Sequence, residues 1–153
     1  NDNTLTLTYA GNFNQMEVTA IHTNELLAGK EDNYFSDREE YFLLASAPPV
    51  KMHFNVEYAT SKLNVNLRAN YFGAINLINY SVEEYTYSPK TTLDASIGYD
   101  ITSNMHLTIG GTNLLNTYPD DTDPYETETG GAWDAVQMGF NGLFMYSKLG
   151  FKF

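Results

Sequence analysis

The stretch that decides the fold reads LNVNLRANY at positions 63–71. Its odd-numbered positions are apolar, whereas Asn or Arg occupies every even-numbered position. Side chains that alternate with a period of two lie on opposite faces of a β-strand. The preceding stretch, VKMHFNVEY at positions 50–58, alternates in the same way, with its apolar residues at even-numbered positions. Two neighbouring strands, each with one apolar and one polar face, are therefore predicted.

These two strands are close enough in sequence to form an antiparallel hairpin. A two-residue turn at Thr60 and Ser61 would pair Tyr58 with Leu63, and every later pair would then match apolar with apolar. This register keeps the apolar side chains of both strands on one face.

The same pattern recurs downstream as LDASIGYDI at 93–101 and MHLTIG at 105–110. A three-residue loop at 102–104, made of good turn-forming residues, would join these strands as a second hairpin. The predicted pairs are Ile101 with Met105 and Tyr99 with Leu107.

The whole chain is predicted to hold about six strands of roughly ten residues, a length that crosses a bilayer when the strands are tilted. The predicted strands are 3–14, 50–59, 62–73, 91–101, 105–114 and 138–153. Short turns alternate with long loops, which are predicted at 15–49, 74–89 and 115–135. The polar face is mainly Asn, Thr, Ser and Gly, which suits a wet lumen better than the highly charged outer face of a soluble sheet. The pattern predicts an all-β fold, an antiparallel up-and-down transmembrane β-barrel segment that is part of a larger barrel.

Alternation alone also fits a soluble β-sandwich, whose two sheets would bury the apolar faces against each other. Such a domain would be a binding module for carbohydrate or adhesion, with exposed aromatic rings stacking on sugars.

Composition excludes several other classes of protein. The formal net charge of -11 disfavours nucleic acid as a partner, because phosphates attract Lys and Arg. No apolar run approaches the roughly 18 residues that a membrane-spanning helix needs. The chain has no Cys, and His22, His53 and His106 are scattered without a partner motif, so we expect no enzyme activity, no metal site and no cofactor.

The segment GGTNLLNTYP at 110–119 resembles a block that TonB-dependent receptors carry before their final extracellular loop. That block reads Gly-x-x-Asn-Leu-Phe-Asp and is followed by Tyr-Pro. Leu115 and Asn116 stand where the family usually has Phe and Asp. Without the resemblance, the same residues would fit a strand that runs into a polar turn.

The end of the chain, GFNGLFMYSKLGFKF at 139–153, resembles the closing strand of the same receptors. A terminal aromatic residue with apolar residues two and four positions earlier is the signal that the barrel-assembly machinery recognises. Leu149, Phe151 and Phe153 match this signal, and their spacing places them on one face of a strand. Residues 37–40, 48–50 and 70–73 resemble the last third of these receptors in the same order.

The resemblance implies a function for the chain. Residues 1–153 would be a C-terminal β-barrel segment in the outer membrane of a Gram-negative bacterium, without the plug domain and the remaining strands. The complete protein would take up a scarce nutrient, such as a ferric siderophore or cobalamin, with energy relayed by TonB. Its partners would be the TonB system through the missing plug, the barrel-assembly machinery, outer-membrane lipid and a small nutrient ligand. The sequence begins at Asn1 without a secretory leader, and we expect it to be a piece of a mature protein.

The last long loop holds the candidate ligand-binding residues. They are Tyr118, Asp120, Asp121, Asp123, Tyr125 and Trp133. The rings could stack on a ligand, and the carboxylates could contact a hard cation such as calcium, although the loop lacks the spacing of an EF-hand. The plainer interpretation is a solvated acidic surface with aromatic residues that pack the loop.

Overall fold

The computed structural model describes residues 3–45, 48–134 and 137–153, and within them eight strands and one α-helix form. The strands are β1 (Thr4–Phe13), β2 (Val50–Ala59), β3 (Leu63–Phe72), β4 (Ile75–Ile78), β5 (Glu84–Tyr87), β6 (Lys90–Thr102), β7 (Met105–Thr112) and β8 (Phe144–Phe151). The helix, α1, spans Asp37–Ala45, and short 3-10 turns lie at Glu31–Asn33 and Pro124–Glu126. No described helix is long and apolar enough to cross a membrane.

Strands β1, β2, β3, β6, β7 and β8 form one antiparallel sheet in that order, called the large sheet below. Neighbours in this sheet are also neighbours along the chain, apart from the short β4–β5 hairpin inserted between β3 and β6. The predicted all-β, antiparallel up-and-down fold is therefore confirmed. Because the strands alternate in direction, the three long connections (14–49, 73–89 and 113–143) leave the large sheet at one end, and the short turns lie at the other.

The predicted register of the first hairpin is wrong by two residues. Tyr58 pairs with Val65, and Thr60 lies opposite Leu63. The Thr60 amide donates to the Leu63 carbonyl at 2.7 Å, and the Leu63 amide donates to the Thr60 hydroxyl at 3.0 Å. This side-chain hydrogen bond places the two-residue turn at Ser61 and Lys62, one residue later than predicted. A shift of two leaves every side chain on its predicted face.

The second hairpin confirms one predicted pair and corrects the other. Tyr99 pairs with Leu107, but Met105 lies opposite Thr102, because the register shifts between Asp100 and Thr102. Ile101 is the extra residue of a β-bulge, which shortens the connecting loop to two residues.

The apolar face of the large sheet is exposed along its whole width. Leu7 on β1, Leu67 on β3 and Ile97 on β6 expose 62%, 43% and 49% of their surfaces. Leu67 pairs with Ala95, and Ile97 pairs with Ile109, so apolar side chains follow one another from strand to strand. A continuous exposed apolar surface of this kind marks contact with other protein segments or with a membrane.

The buried core lies outside the large sheet, at the end where the long connections meet. Leu77 on β4 and Tyr87 on β5 are fully buried, and Ala45 and Ile75 complete the cluster. Side chains packed against this cluster come from all three long connections: Phe42, Tyr85 and Trp133. Parts of all three long connections therefore pack together, and their described residues, 14–45, 48–49, 73–89, 113–134 and 137–143, are called the cap below.

The sequence predicts long loops at 15–49, 74–89 and 115–135, but α1 lies within the first and the β4–β5 hairpin within the second. The last strand is predicted to begin at residue 138, whereas β8 begins at Phe144. The predicted end of the last loop, Ala135, lies outside the described residues.

Candidate functional site

The segment at 110–119 brings β7 to the end of the large sheet and starts the third long connection. A Cβ on Gly110 would lie 2.6 Å from the Tyr146 ring, and a Cβ on Gly111 would lie 2.6 Å from the Met145 sulfur. Glycine at these positions therefore lets β8 side chains lie across β7, a close approach that any larger residue would block.

Two asparagines then turn the chain. Asn113 and Asn116 have φ angles of 49° and 51°, in the left-handed region that Asn tolerates better than most residues. The Asn113 side chain accepts from the Thr117 amide at 2.9 Å and donates to the carbonyls of Thr117 and Asn141 at 2.8 and 3.1 Å. Asn116 accepts from the Leu143 amide at 2.9 Å. Both asparagines thus fasten the beginning of the third connection to its end.

Four of the six predicted ligand-binding residues line one open depression on the cap. Its volume is about 590 Å³, and its lining residues are Tyr118, Pro119, Asp120, Asp121 and Trp133. The Tyr118 and Trp133 rings are stacked, with centroids 5.8 Å apart and planes 7° apart. The depression therefore combines a rigid aromatic wall with two carboxylates.

Behind this wall the stack continues to a third ring. Trp133 and Phe140 have centroids 5.7 Å apart and planes 20° apart. Three consecutive rings hold the indole of Trp133 between neighbours, so its orientation depends on how the third connection is fixed.

Asp120 has a structural role besides lining the depression. Its carboxylate accepts from the Ser88 amide at 2.5 Å and forms an ion pair with Lys90. Partial burial of Asp120 opposes its ionisation, but the hydrogen bonds from Lys90 and Ser88 outweigh burial and lower its pKa to about 2. The negative charge at this position is therefore fixed at neutral pH, and it ties the third connection to the start of β6.

The remaining two predicted residues lie away from the depression. The Asp123 carboxylate accepts from the Tyr125 amide at 3.0 Å and caps the short 3-10 turn. Tyr125 exposes 92% of its surface. The structure therefore gives Asp123 a local capping role and leaves the Tyr125 ring in solvent.

A second cavity of about 420 Å³ lies between the β4–β5 hairpin and the third connection. Five carboxylate residues line it: Glu83, Asp120, Asp121, Asp123 and Glu126. Within residues 3–45, 48–134 and 137–153, no set of three or more His, Asp or Glu side chains is placed to hold a metal ion. Burial raises the pKa of Tyr85, whose ring lines the same cavity.

Arg38 on α1 is a residue that the sequence analysis did not single out. Its guanidinium forms ion pairs with Glu128 and Asp134, the second at 3.2 Å. The same group lies over the rings of Phe42 and Tyr80, at 4.6 and 4.2 Å from their centroids. One side chain from the first connection therefore contacts the second and third connections. No sequence pattern marks this role, because three of its four partners, Tyr80, Glu128 and Asp134, are 42 or more positions away along the chain.

Two further contacts join the connections. Ser81 donates to the Glu126 carboxylate through its amide at 2.9 Å and its hydroxyl at 2.7 Å. The Tyr41 hydroxyl donates to Glu84 at 2.6 Å. The second connection is thus fastened to both of the others.

The polar face of the large sheet carries a chain of hydrogen bonds that starts at His53. The His53 ring contacts the side-chain oxygen of Asn70 at 2.8 Å. The side-chain NH2 group of Asn70 donates to the Thr92 hydroxyl at 3.2 Å and to the Asp94 carboxylate at 3.3 Å. Asp94 in turn accepts from the Asn113 amide at 2.9 Å. This network links three strands, β2, β3 and β6, to the turn that begins the third connection.

The other histidine of this face lies near the short turns. His106 contacts Asp100 at 2.6 Å and Thr108 at 3.1 Å through its two ring nitrogens. His53 and His106 thus lie on the predicted polar face, each within a local hydrogen-bond group, and neither lines the depression.

The proposed assembly signal lies at the same end of the sheet as His106, opposite the cap. Leu149 pairs with Leu107 and Phe151 pairs with Met105, so both lie on the apolar face as predicted. Phe153 follows β8 and is fully exposed. The recognition of these residues by an assembly machinery stays a prediction.

Fold and site together define an all-β protein, built on an antiparallel up-and-down sheet with an exposed apolar face and a folded cap. No family model and no curated protein matches the sequence. Among solved structures, the chain is similar to a mutant of the ferric enterobactin receptor (PfeA) from Pseudomonas aeruginosa, with 16% sequence identity and a TM-score of 0.44. The similarity covers 68% of this chain and 16% of that receptor, so the chain spans a small part of the receptor's length.

Proposed function

We propose that this chain is part of the wall of an outer-membrane active transporter of the TonB-dependent receptor type. The observation that carries the proposal is the large sheet itself, which has a continuous exposed apolar face and an opposite face that is mainly polar on β1, β2, β3, β6 and β7. A lipid-facing surface and a water-facing lumen require this division, because lipid contacts only one side of a barrel wall.

Strand length supports the same environment. Strands β1, β2 and β3 each have 10 residues. At about 3.3 Å per residue and a tilt of about 45°, ten residues span roughly 23 Å along the membrane normal. This distance matches the apolar band of outer-membrane barrels, which is about 25 Å tall.

The edges of the large sheet imply additional strands. Among the described residues, β1 pairs with β2 alone and β8 pairs with β7 alone. In hydrocarbon, each backbone group without a partner costs several kcal/mol, so a lipid-exposed edge is not viable. We therefore expect β1 and β8 to pair with strands elsewhere in the complete protein, in a barrel of about 22 strands around a plug.

Substrate and partners follow from the resemblance of residues 110–119 and 139–153. The complete protein would import a scarce nutrient, such as a ferric siderophore or cobalamin, with energy supplied by TonB through the plug. Its ligand would contact the depression lined by Tyr118, Asp120, Asp121 and Trp133. The assembly machinery would recognise the terminal strand.

The alternative is a soluble carbohydrate-binding or adhesion module. One observation favours it, because stacked rings such as Tyr118 and Trp133 in an open depression are suited to contact with sugars. A soluble sandwich, however, would bury its apolar sheet face, whereas Leu7, Leu67 and Ile97 are exposed here.

Spin labels on two adjacent residues test the proposal. Leu67→Cys and Asn66→Cys are placed separately in the complete protein, reconstituted in phospholipid bilayers. The label at 67 should collide preferentially with dissolved oxygen, which concentrates in lipid, and the label at 66 with a water-soluble nickel reagent. Equal access of the nickel reagent to both labels, or a chain that is monomeric and folded without detergent, would reject the membrane wall in favour of the soluble module.

A further inference from the structure

We infer that Arg38 is the positioning residue for the aromatic wall of the candidate depression, an inference that rests on the proposed ligand site. It acts through Asp134, the residue next to Trp133. The first long connection, which does not line the depression, would then control its shape.

Arg38 and Asp134 are both well shielded from solvent. The Arg38 side chain is 14% exposed and that of Asp134 is 2% exposed. The Asp134 amide also donates to the hydroxyl of the fully buried Tyr87 at 3.1 Å. Asp134 is therefore held through its backbone and through its side chain, and this restricts the backbone of Trp133.

The second ion pair of Arg38 holds the other part of the same loop. Glu128 pairs with Arg38, and Thr129 donates through its hydroxyl to the Trp133 carbonyl at 2.8 Å. The loop from 128 to 134 is therefore closed on itself at Trp133 and fastened to Arg38 at both ends. Loss of the Arg38 guanidinium would remove the ion pairs at both ends of this loop at once.

The surroundings of Arg38 require arginine and not merely a positive charge. Its planar group lies over Phe42 and Tyr80 while two of its nitrogens reach two different carboxylates. A lysine ammonium lacks the planar fork and can keep only part of these contacts. Arg38→Lys should therefore weaken the attachment of the 128–134 loop to α1. Arg38→Met, which removes the charge, should abolish this attachment.

The first test measures hydrogen exchange in the complete protein in bilayer nanodiscs. Arg38→Met should speed the exchange of amides in 80–82 and 126–134 by about tenfold or more, with Arg38→Lys between Arg38→Met and wild type. Amides of β3 and β6 should keep their wild-type rates. The matched control is Arg68→Met, which removes an arginine from β3, opposite Asp94 and outside the cap. It should leave exchange in 126–134 unchanged.

The second readout reports on the aromatic wall directly. Trp133 is the one Trp in this sequence, and its emission in the complete protein is obtained by difference from a Trp133→Phe variant. Arg38→Met should shift this emission to longer wavelength and increase its quenching by acrylamide, and Arg38→Lys should restore part of the wild-type signal. If Arg38 stabilised only α1 and did not act on the loop that holds Trp133, the emission of Trp133 would not change.

A double variant tests the route through Asp134. If Arg38 acts through that residue, Arg38→Met combined with Asp134→Asn should exchange no faster in 126–134 than the faster single variant. Unchanged exchange and emission in both Arg38 variants would overturn the inference, as would acceleration spread evenly over β3 and β6. If Arg38→Met does not fold, Arg38→Lys decides alone. None of these measurements needs a ligand, so they can succeed where the transport proposal fails.

Discussion

Leu67→Arg in the complete protein is the sharpest test of where the apolar face lies. Leu67 is near the middle of β3, on the apolar face, and it lies next to Arg68 on the polar face. The sheet therefore already carries an arginine one position away, but on the opposite side. If the apolar face contacts hydrocarbon, the same side chain at position 67 has no water within reach, and the free energy of unfolding must fall.

The magnitude depends on depth in the bilayer. Leu67 lies four residues from Leu63, the first residue of β3. At about 3.4 Å per residue and a tilt of about 45°, this is roughly 10 Å along the membrane normal. Leu67 then lies close to the midplane, where arginine costs about 2–4 kcal/mol, and Leu63 lies near an interface, where it costs about 0–1 kcal/mol. Asn66→Arg, on the lumen side, should cost less than about 1 kcal/mol, because water solvates it.

The assay is reversible guanidinium unfolding of the complete protein in phospholipid vesicles. Relative to wild type, Leu67→Arg should lower the unfolding free energy clearly more than Leu63→Arg or Asn66→Arg. In a soluble sandwich the order would follow burial instead, and Leu63, which is less exposed than Leu67, would be the more sensitive position. Equal effects at 63 and 67, or a larger one at 63, would refute the assignment of this face to lipid.

Three other substitutions have definite expected outcomes. Phe153→Ala should lower the amount of assembled protein in outer-membrane fractions several-fold, whereas Lys152→Ala should not, and equal amounts would reject the terminal signal. Because the folded pKa of Asp120 is about 2, below its usual 3.8, its stabilisation is present above about pH 4 and is lost as the pH falls towards 2. The side chain is 39% exposed, so Asp120→Asn should cost about 1 kcal/mol or less at pH 6, and this difference in unfolding free energy should vanish near pH 2. Gly110→Val should destabilise the protein by about 1–3 kcal/mol in chemical unfolding, because its side chain displaces the ring of Tyr146, and a neutral effect would show that β8 can shift.

The sequence predicted the faces of the strands more accurately than their register. Alternation assigns each residue to a face without any knowledge of its partner, so the placement of Val65 and Leu67 was correct although both predicted partners were wrong. Register depends on turn geometry, and one hydroxyl, that of Thr60, moved the turn by one residue. The β-bulge at Ile101 could not be predicted either. It lies at the end of β6, so the alternation of apolar and polar residues up to Tyr99 is unaffected by it.

The cap could not be predicted from local patterns, since its contacts join distant parts of the chain. The strongest local signal in 14–49 is acidic composition, which indicates a solvated loop. The packing of Phe42, Leu77 and Trp133 into one cluster depends on residues from three connections that the sheet brings to the same end. Four of the six predicted site residues nevertheless lie together, because they follow one another closely or stack across a single loop.

The motif at 110–119 has a physical explanation that limits what it says about the substrate. Asn113 is buried at the end of β7, where its backbone takes a left-handed conformation and its side chain closes the turn through Thr117 and Asn141. These contacts are within the chain itself and involve no ligand. Only the last two residues of the motif, Tyr118 and Pro119, line the depression. Most of the motif therefore shapes the turn that leaves β7. Under the proposed function, ligand specificity would depend on the end of the motif and on the residues after it, starting with the stack of Tyr118 on Trp133.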